Sequence, residues 1–312
     1  MGYYHPERRV TNWDLTERMD TSDEWIRDHT GIRERRYADD DVDTSDLGVV
    51  ATHRALENAR LHPGELDVLI CATSTPDALI PSTASYIANK LHLQATAFDV
   101  NAACSGFIYG LAVADGLVSG QREGRVALCA AEKYTRVIDP HDRANSIFWG
   151  DGAGTVVLQP ERPVLGIEVV DVSLANHNEG ADLVRIPIGG HFEMDGRAVK
   201  KIAFEGLVSS ATGILERNHL GPGDLRGFVC HQANLRMIEA LADRLGIDSE
   251  RHWHNVELFG NQGAAGVLTA FCAGIEERAD ELMDGDLFLL TVYGSGFTGG
   301  SALLRWVDGR SG

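Results

Sequence analysis

Cys104 is the cysteine whose position best suits a nucleophile. It lies in the small-residue stretch NAACSG (101–106), between an apolar run that predicts a strand and a pattern that predicts a helix. The free N–H groups and partial positive charge of a helix N-terminus favour a thiolate, so we expect an activated sulfur at neutral pH. Buried cysteines are also common core residues, and Cys104 alone leaves that interpretation open.

The other four cysteines are expected to pack in the core. Cys71 and Cys129 lie in apolar strand patterns, Cys272 lies in an alanine-rich helix, and Cys230 precedes His231 on the opposite face of a strand. The five cysteines are widely spaced and form no CxxC pair, which excludes a zinc-finger pattern and indicates a reducing, cytoplasmic setting.

An imidazole and a carboxamide follow two later strand patterns. His231 ends an apolar run and opens the segment HQANLR (231–236), and Asn261 lies in FGNQG (259–263) before a third small-residue helix. A cysteine nucleophile needs a base and an orienting group that emerge at strand ends or loops. Taken singly, His231 is explained as a helix-start residue and Asn261 as a helix cap. Three such turns in one chain favour a shared site.

Strand and helix patterns alternate along the chain, which predicts a layered α/β fold. Residues 1–160 and 161–312 are expected to form two tightly packed halves, with Pro160 and Pro163 at the seam. Strands are predicted at 66–73, 96–100, 125–131, 154–158, 164–172, 225–230, 286–293 and 301–307, and helices at 104–118, 196–218, 234–245 and 263–278. The last two strands are expected to pair.

Composition excludes several classes of function. The chain has 312 residues and a formal net charge of −18, so a surface-wide attraction to nucleic acid or anionic membrane is not expected. No apolar stretch approaches the roughly 20 residues that span a bilayer. His252 and His254 suggest a metal pair, but no third ligand has convincing spacing, so no metal is expected.

Seven segments together resemble the β-ketoacyl-acyl-carrier-protein synthase III family, the initiating ketosynthases of the thiolase superfamily. They are TSDEWI (21–26), TGIRER (30–35), DVNAACSGF (99–107), DPHDR (139–143), HQANLR (231–236), FGN (259–261) and GFTGGSAL (296–303). The resemblance implies a thiolase-like, five-layered αβαβα fold with two pseudo-repeated halves. The active site would lie where the halves meet, and a homodimer would be the working unit.

The resemblance also implies a mechanism and its residues. An acyl-CoA would acylate Cys104, with the backbone N–H groups of Cys104 and Gly296 binding the oxyanion. Malonyl-acyl carrier protein would then lose CO₂, with His231 and Asn261 stabilising the enolate, and the product would be a β-ketoacyl thioester. Acyl-CoA and the malonyl carrier would be substrates, and no metal or redox cofactor would be needed.

Binding roles are carried over by position from the same resemblance. Trp25 would stack on the adenine of CoA, Arg143 would contact the nucleotide, Gly196 and Asn234 would contact pantetheine, and Ile80 would reach into the acyl pocket of the partner subunit. An acidic carrier needs a basic landing area on this acidic chain. The candidates are Arg197, Lys200 and Lys201 on one helix face, and Arg236 and Arg244 on another helix.

The sequence departs from the family pattern at four places. His29 replaces an arginine that helps to hold CoA, Lys200 replaces an aromatic residue, and Gly299 replaces a tryptophan. The family also has a strand before the segment that resembles the start of this chain, so either a central strand is missing or the sheet is completed differently. The first three changes leave room for an unusual starter acyl group.

Several alternatives stay open at this point. A papain-like hydrolase shares the order Cys, His, Asn but needs a different sequence around its cysteine. An acyltransferase of the same fold, acting on an alcohol or amine, and a polyketide-priming ketosynthase are closer rivals. The GxGxxG match at 294–299 suggests a dinucleotide site, but only 13 residues follow it, too few for a nucleotide-binding unit. A binding module without catalysis is the last alternative.

Overall fold

The computed structural model describes residues 1–120 and 124–310 of the chain. Its helices are α1 (Asn12–Thr16), α2 (Asp23–Thr30), α3 (Thr44–Ala59), α4 (Thr83–Lys90), α5 (Gly106–Ser119), α6 (Gly196–Arg217), α7 (Leu235–Leu245), α8 (Val256–Phe259) and α9 (Ala265–Arg278). Its strands are β1 (Gly2–Tyr4), β2 (Arg9–Thr11), β3 (Glu34–Arg36), β4 (Val68–Ala72), β5 (Thr96–Val100), β6 (Val126–Lys133), β7 (Asp151–Leu158), β8 (Leu165–Asn176), β9 (Val184–Arg185), β10 (Glu193–Met194), β11 (Leu225–Cys230), β12 (Leu287–Tyr293) and β13 (Thr298–Asp308).

Two sheets form the framework. The first has the strand order β1-β7-β6-β4-β5 and the second the order β11-β12-β13-β8. In each sheet the central strands β4 and β12 have a parallel neighbour, and β12 pairs antiparallel with β13, as the sequence predicts. The first sheet draws its strands from residues before 160 and the second from residues after 161. The division into two halves at that point stays a prediction.

Side-chain alternation in the central strands explains the layers. In β4, Val68, Ile70 and Ala72 face a core that contains α5 and α9, whereas Leu69 and Cys71 face α3 and α4. Successive residues of a strand point to opposite faces, and a strand buried on both faces therefore needs apolar residues throughout.

The second sheet repeats this arrangement. Phe288, Leu290 and Val292 of β12 face the core between the sheets, and Leu289 and Tyr293 face α6 and α7. The layers are therefore α3 and α4, the first sheet, α5 and α9, the second sheet, and α6 and α7. This is the expected five-layered αβαβα fold.

The chain's first residues form the edge strand of the first sheet. Gly2–Tyr4 pairs antiparallel with β7 at the edge of the first sheet, and hydrogen-bonded strands continue from there to β5. Of the two alternatives that the sequence left open, the described residues therefore fit a sheet that is completed without a central gap. Helices α2, α3 and α4 were not predicted from the sequence. Among residues 1–120 and 124–310, none of the helices combines the length and apolarity needed to cross a membrane.

Candidate active site

Cys104 lies in a strained turn between β5 and α5. Residues Ala103–Ser105 form one turn of 3₁₀-helix, and Ala103 has a φ of 47°, a left-handed conformation that costs energy for a residue with a side chain. Two hydrogen bonds tie this turn to the second half of the chain: Ser105 Oγ donates to the Thr298 carbonyl at 2.8 Å, and Thr298 Oγ1 donates to the Ala102 carbonyl at 3.1 Å. The junction between the halves thus fixes the position of the sulfur.

The glycine-rich turn after β12 packs directly against Cys104. A Cβ on Gly294 would lie 2.9 Å from the Cys104 amide nitrogen and 3.1 Å from its Cβ, so only glycine fits there. Gly296 follows in the left-handed region with a φ of 69°. The sequence pointed to Gly296 as a backbone donor, and Gly294 is a residue that it missed.

Burial acts against the thiolate that the sequence led us to expect at Cys104. Burial raises the pKa of Cys104 to about 12, and the charge of Glu132 acts in the same direction. A hydrogen bond with Tyr134 opposes this shift and lowers the pKa. Desolvation is the largest of these effects, because the cysteine is only 8% exposed.

His231 follows β11 and is held by its backbone. Its N–H donates to the Thr291 carbonyl of β12 at 2.8 Å, which places the imidazole at the carboxyl ends of these parallel strands. The side chain is 6% exposed, and its Nδ1 is buried with no hydrogen-bond partner among the described residues. Burial lowers the pKa of His231 to about 4, so the imidazole is neutral at pH 7 and donates through one nitrogen only.

The backbone of Asn261 is held by hydrogen bonds to the segment just before β7. Its N–H donates to the Phe148 carbonyl at 2.7 Å, and its carbonyl accepts from Gly150 N at 2.9 Å. The side-chain Oδ1 accepts from Gly263 N at 3.0 Å. With its oxygen engaged, the amide NH₂ is the end of the side chain that is left to donate.

The segment after Asn261 packs on two residues near Cys104. Gly263 has a φ of +53°, and a Cβ there would lie 2.4 Å from Tyr134 Cε2 and 3.0 Å from Glu132 Oε1. The Ala264 Cβ lies 3.2 Å from the position of a Cβ on Gly106, two residues after Cys104. The segments that follow Cys104 and Asn261 therefore pack against each other, and the convergence of His231 with them stays a prediction. The roles of the three side chains stay predictions.

Sequence reasoning missed Glu132 and Tyr134. Glu132 is the second-to-last residue of the buried strand β6 and has no exposed surface. The Tyr134 ring stacks on Trp149 with the ring centroids 3.8 Å apart. Burial raises the pKa of Glu132 to about 7 despite hydrogen bonds from Thr75 and Ser74 that lower it. The sequence feature that could have indicated Glu132 is a charged residue near the end of an otherwise apolar strand.

Trp25 forms part of a stacked cluster. The Arg143 guanidinium carbon lies 4.8 Å from the centre of its ring, and the His29 imidazole stacks on the same ring at 4.2 Å. Arg143 also donates to the Asp20 carbonyl at 2.7 Å. The structure thus brings together Trp25 and Arg143, which the sequence assigned to the nucleotide, and it adds His29 to them.

The other assigned binding residues lie at the starts of helices or in an exposed loop. Asn234 caps α7, where its side chain accepts from Met237 N at 2.9 Å, and Gly196 is the first residue of α6. Ile80 is 85% exposed in the loop before α4. A role in binding pantetheine or a partner subunit stays a prediction for each of them.

The basic residues divide into two groups. Arg197, Lys200 and Lys201 are exposed near the start of α6, and none of the acidic side chains that the structure describes pairs with them. Arg236 instead pairs with Glu239 at 3.2 Å and donates to the carbonyls of Arg27 and Asp28. Arg244 lies in a groove beside Glu205 and Glu216, whose charge opposes an acidic partner.

No metal-binding cluster is evident in the described part of the chain. His252 and His254 have their ring centroids 4.9 Å apart, and His254 bonds to Glu257 at 2.9 Å. No group of three or more His, Cys, Asp or Glu side chains there could hold an ion. All five cysteines are free and buried.

Comparison with known proteins agrees with this geometry. Residues 98–177 match the family model of 3-oxoacyl-[acyl-carrier-protein] synthase III, and residues 215–306 match the model of its C-terminal part. A β-ketoacyl-[acyl-carrier-protein] synthase III from Streptomyces coelicolor is 40% identical over 98% of this chain and 96% of its own length.

Solved structures show the same similarity. The crystal structure of 3-oxoacyl-[acyl-carrier-protein] synthase III from Aquifex aeolicus covers 97% of both chains with a TM-score of 0.92 and 36% identity. The priming β-ketosynthase of the R1128 polyketide pathway covers 98% of this chain and 95% of its own, with a TM-score of 0.90 and 34% identity.

Fold and site together define a condensing enzyme of the thiolase fold. The chain belongs to the β-ketoacyl-acyl-carrier-protein synthase III family, whose members are acyltransferases that initiate acyl-chain assembly by condensation.

Proposed function

We propose that Cys104 takes an acyl group from acyl-CoA and passes it to the carbanion formed from malonyl-acyl carrier protein. The observation that carries this proposal is the junction itself, where a strained cysteine turn from one half is bound by Gly294 and Thr298 of the other. In the first step the sulfur attacks the thioester carbonyl, and the backbone N–H groups of Cys104 and Gly296 bind the oxyanion.

The second step needs donors that carry no charge of their own. As the malonyl thioester loses CO₂, negative charge develops on its thioester oxygen. The neutral His231 imidazole and the Asn261 NH₂ donate hydrogen bonds to that oxygen. The enolate carbon then attacks the acyl group on Cys104, and the cysteine sulfur leaves as the β-ketoacyl thioester forms.

The Trp25 cluster supports binding of a nucleotide-bearing thioester. An aromatic face beside a guanidinium suits an adenine and its phosphates. Because Arg143 and His29 both stack on Trp25 here, an adenine would replace one of them on the ring. Gly196 and Asn234 would line the path of the pantetheine arm.

A basic surface near the start of α6 supports docking of an acidic carrier. Arg197, Lys200 and Lys201 have no competing acidic partner in the described ranges, so we assign the main contact to them. Arg236 and Arg244 contribute less because each already lies beside acidic side chains.

We further propose a homodimer, in which Ile80 enters the acyl pocket of the partner subunit. The neighbouring side chains Leu79 and Ile80 are 78% and 85% exposed, an apolar surface that a partner would cover. The five free thiols fit a reducing compartment such as the cytoplasm.

A second candidate is the priming step of polyketide synthesis. The similarity to the R1128 priming ketosynthase favours it, and so does His29 in the nucleotide cluster. The two candidates share the chemistry at Cys104 and differ in the acyl group that is accepted.

The experiment that tests the proposal is a mass measurement of the intact protein after incubation with a panel of acyl-CoAs. We expect an acyl adduct on wild type that maps to Cys104 and is absent in Cys104→Ala. The preferred acyl group separates the two candidates. An adduct on another residue, or no adduct with any donor, would refute the assignment of Cys104.

A further inference from the structure

Glu132 is a buried carboxylate without a cationic partner. Ser74 N and Oγ, Thr75 Oγ1 and Ala264 N donate hydrogen bonds to it. The adjacent Lys133 points elsewhere, with its Nζ bonded to the carbonyls of Asp39 and Val42. No lysine or arginine within the described ranges forms an ion pair with Glu132. An isolated buried charge is costly, and such groups occur most often at functional sites.

Two hydroxyl groups connect this carboxylate with Cys104. Ser74 Oγ lies 2.8 Å from Glu132 Oε1 and 3.0 Å from the Tyr134 hydroxyl. The Tyr134 side chain in turn lies in the same buried cluster as Cys104, and its hydroxyl acts to lower the pKa of that thiol. The stack of Tyr134 on Trp149 fixes the ring, so the phenol is held in place between serine and cysteine.

The direction of these hydrogen bonds follows from counting protons. Each hydroxyl has one proton to donate, and an ionised carboxylate only accepts. With Glu132 ionised, Ser74 donates to Glu132, Tyr134 donates to Ser74, and the Cys104 thiol donates to Tyr134. With Glu132 protonated, every bond reverses, and Tyr134 donates to a Cys104 thiolate.

We propose that this chain moves the thiol proton of Cys104 through Tyr134 and Ser74 to Glu132 when the sulfur attacks the acyl donor. The S–H bond breaks, an O–H bond forms on Glu132, and each hydroxyl gives up one proton and gains one. The CoA thiolate that leaves takes its proton from water. When condensation later expels the cysteine thiolate, Glu132 returns the stored proton along the same path.

The charges at the site agree with this assignment. Burial raises the pKa of Glu132 to about 7 and lowers that of His231 to about 4, so the carboxylate is the stronger base of the two. The titratable groups around Glu132 are Cys104, Tyr134 and, on strand β4, Cys71, and the pKa of each is raised by burial or by a neighbouring thiol. The chain carries one negative charge before acylation and none while Cys104 holds the acyl group, because the charge leaves with the CoA thiolate, so the site never holds two.

The test measures the single-turnover rate of Cys104 acylation by intact mass, in wild type and in Tyr134→Phe, Ser74→Ala and Glu132→Gln. We expect each variant to slow acylation about 10²-fold at neutral pH. The double variant Tyr134→Phe/Ser74→Ala should be no slower than the slower single variant, because one break already interrupts the path. Thr73→Val is the control, since it removes a hydroxyl bonded to the same carboxylate outside the path.

The pH dependence separates proton transfer from a structural role. Acylation by wild type and Thr73→Val should increase with pH around a midpoint near 7, and this midpoint should be absent in Tyr134→Phe and Ser74→Ala. If Glu132 only repelled charge on the sulfur, Glu132→Gln would acylate faster than wild type. That result, or wild-type rates in Tyr134→Phe and Ser74→Ala, overturns the proposal.

The proposed proton path rests on the proposed function of Cys104 as the acyl carrier. Different results would refute the proton path and the proposed function. A wild-type protein that forms no adduct refutes the proposed function. An adduct that forms at equal rates in wild type and the variants refutes only the proton path. Should Glu132→Gln fail to fold, Ser74→Ala and Tyr134→Phe still decide the question.

Discussion

The ionisation of individual side chains at this site is controlled by burial. The pKa values of Cys104 and Glu132 are raised, and that of His231 is lowered, each mainly by loss of water. All three groups therefore favour their neutral forms relative to solution. This suits a reaction in which charge develops on the substrate and must be met by neutral donors.

The raised pKa of Glu132 makes the free energy of unfolding depend on pH. Its pKa lies near 7 in the folded protein against 4.5 ordinarily, so the folded state holds the proton more tightly than the unfolded state. Stability from this group is present below pH 4.5 and is lost as pH rises to 7. Relative to wild type, Glu132→Gln should gain on the order of 3 kcal/mol of unfolding free energy across that window, measured by denaturation at a series of pH values.

Glu257→Gln is the matched control for this prediction. Burial raises the pKa of Glu257, but its hydrogen bond with His254 and nearby positive charge outweigh burial and lower it. The stability of this variant relative to wild type should therefore change in the opposite direction with pH. A difference between Glu132→Gln and wild type that does not vary with pH would contradict the account.

How the strands and helices end determines which side chains meet. β4, β5 and β6 run parallel, so their carboxyl ends present the Thr73–Thr75 loop, the Cys104 turn and Glu132 at one edge. The turn after β12 closes this edge from the other sheet through Gly294. The position of the Cys104 sulfur thus depends on close backbone contacts between the two sheets.

Gly294→Ala tests that dependence. Gly294 has an extended backbone that any residue adopts, so the effect of the new Cβ is purely steric, 2.9 Å from the Cys104 nitrogen. We expect about a 10²-fold loss in the rate of Cys104 acylation, because displacing a nucleophile by about 1 Å has effects of this size.

Gly116→Ala is the control in the helix that follows Cys104. A Cβ there meets no atom within 4 Å, and alanine favours helix by about 0.5–1 kcal/mol over glycine. This variant should be more stable in thermal unfolding and acylate at the wild-type rate. Equal acylation by Gly294→Ala and wild type would show that the close contact does not position the sulfur.

The sequence predicted regular elements well where the pattern was local. Strands 96–100 and 225–230 were placed to the residue, because apolar runs bounded by turn residues mark buried strands. The thiolate expected at Cys104 stays a prediction, because burial between the two halves raises the pKa of the thiol and the local sequence does not describe that burial. Glu132 and Tyr134 were missed for the same reason: their neighbours Ser74 and Cys104 lie in other strand ends.

Assembly of the whole molecule depends on Ile80 if the proposed dimer forms. If Ile80 enters the pocket of a second subunit, Ile80→Asp should weaken dimerisation by about 30-fold or more, as measured by sedimentation across protein concentrations. Ile188→Asp is the control, because Ile188 is similarly exposed at 89% against 85% but lies in a separate loop. Equal effects of both variants would argue against a specific contact of Ile80.

The charge distribution makes a second claim at this level. A net charge of −18 repels an acidic carrier except at the basic start of α6. In low salt, Lys201→Glu should raise the KM for a malonyl carrier about fivefold and leave the KM for malonyl-CoA unchanged. Added salt should reduce the difference in carrier KM between this variant and wild type. Arg162→Glu makes the same charge change in the connection between the sheets and should not alter either KM.

The central claim is that the acyl group on Cys104 is consumed by decarboxylative condensation. The direct measurement mixes acylated enzyme with a malonyl carrier labelled in its free carboxyl group and follows labelled CO₂ and the Cys104 adduct together. We predict one CO₂ for each adduct lost, and in His231→Ala an intact adduct with CO₂ release slowed by 10²–10³-fold. Loss of the acyl group from Cys104 to another acceptor without release of CO₂ would contradict the account.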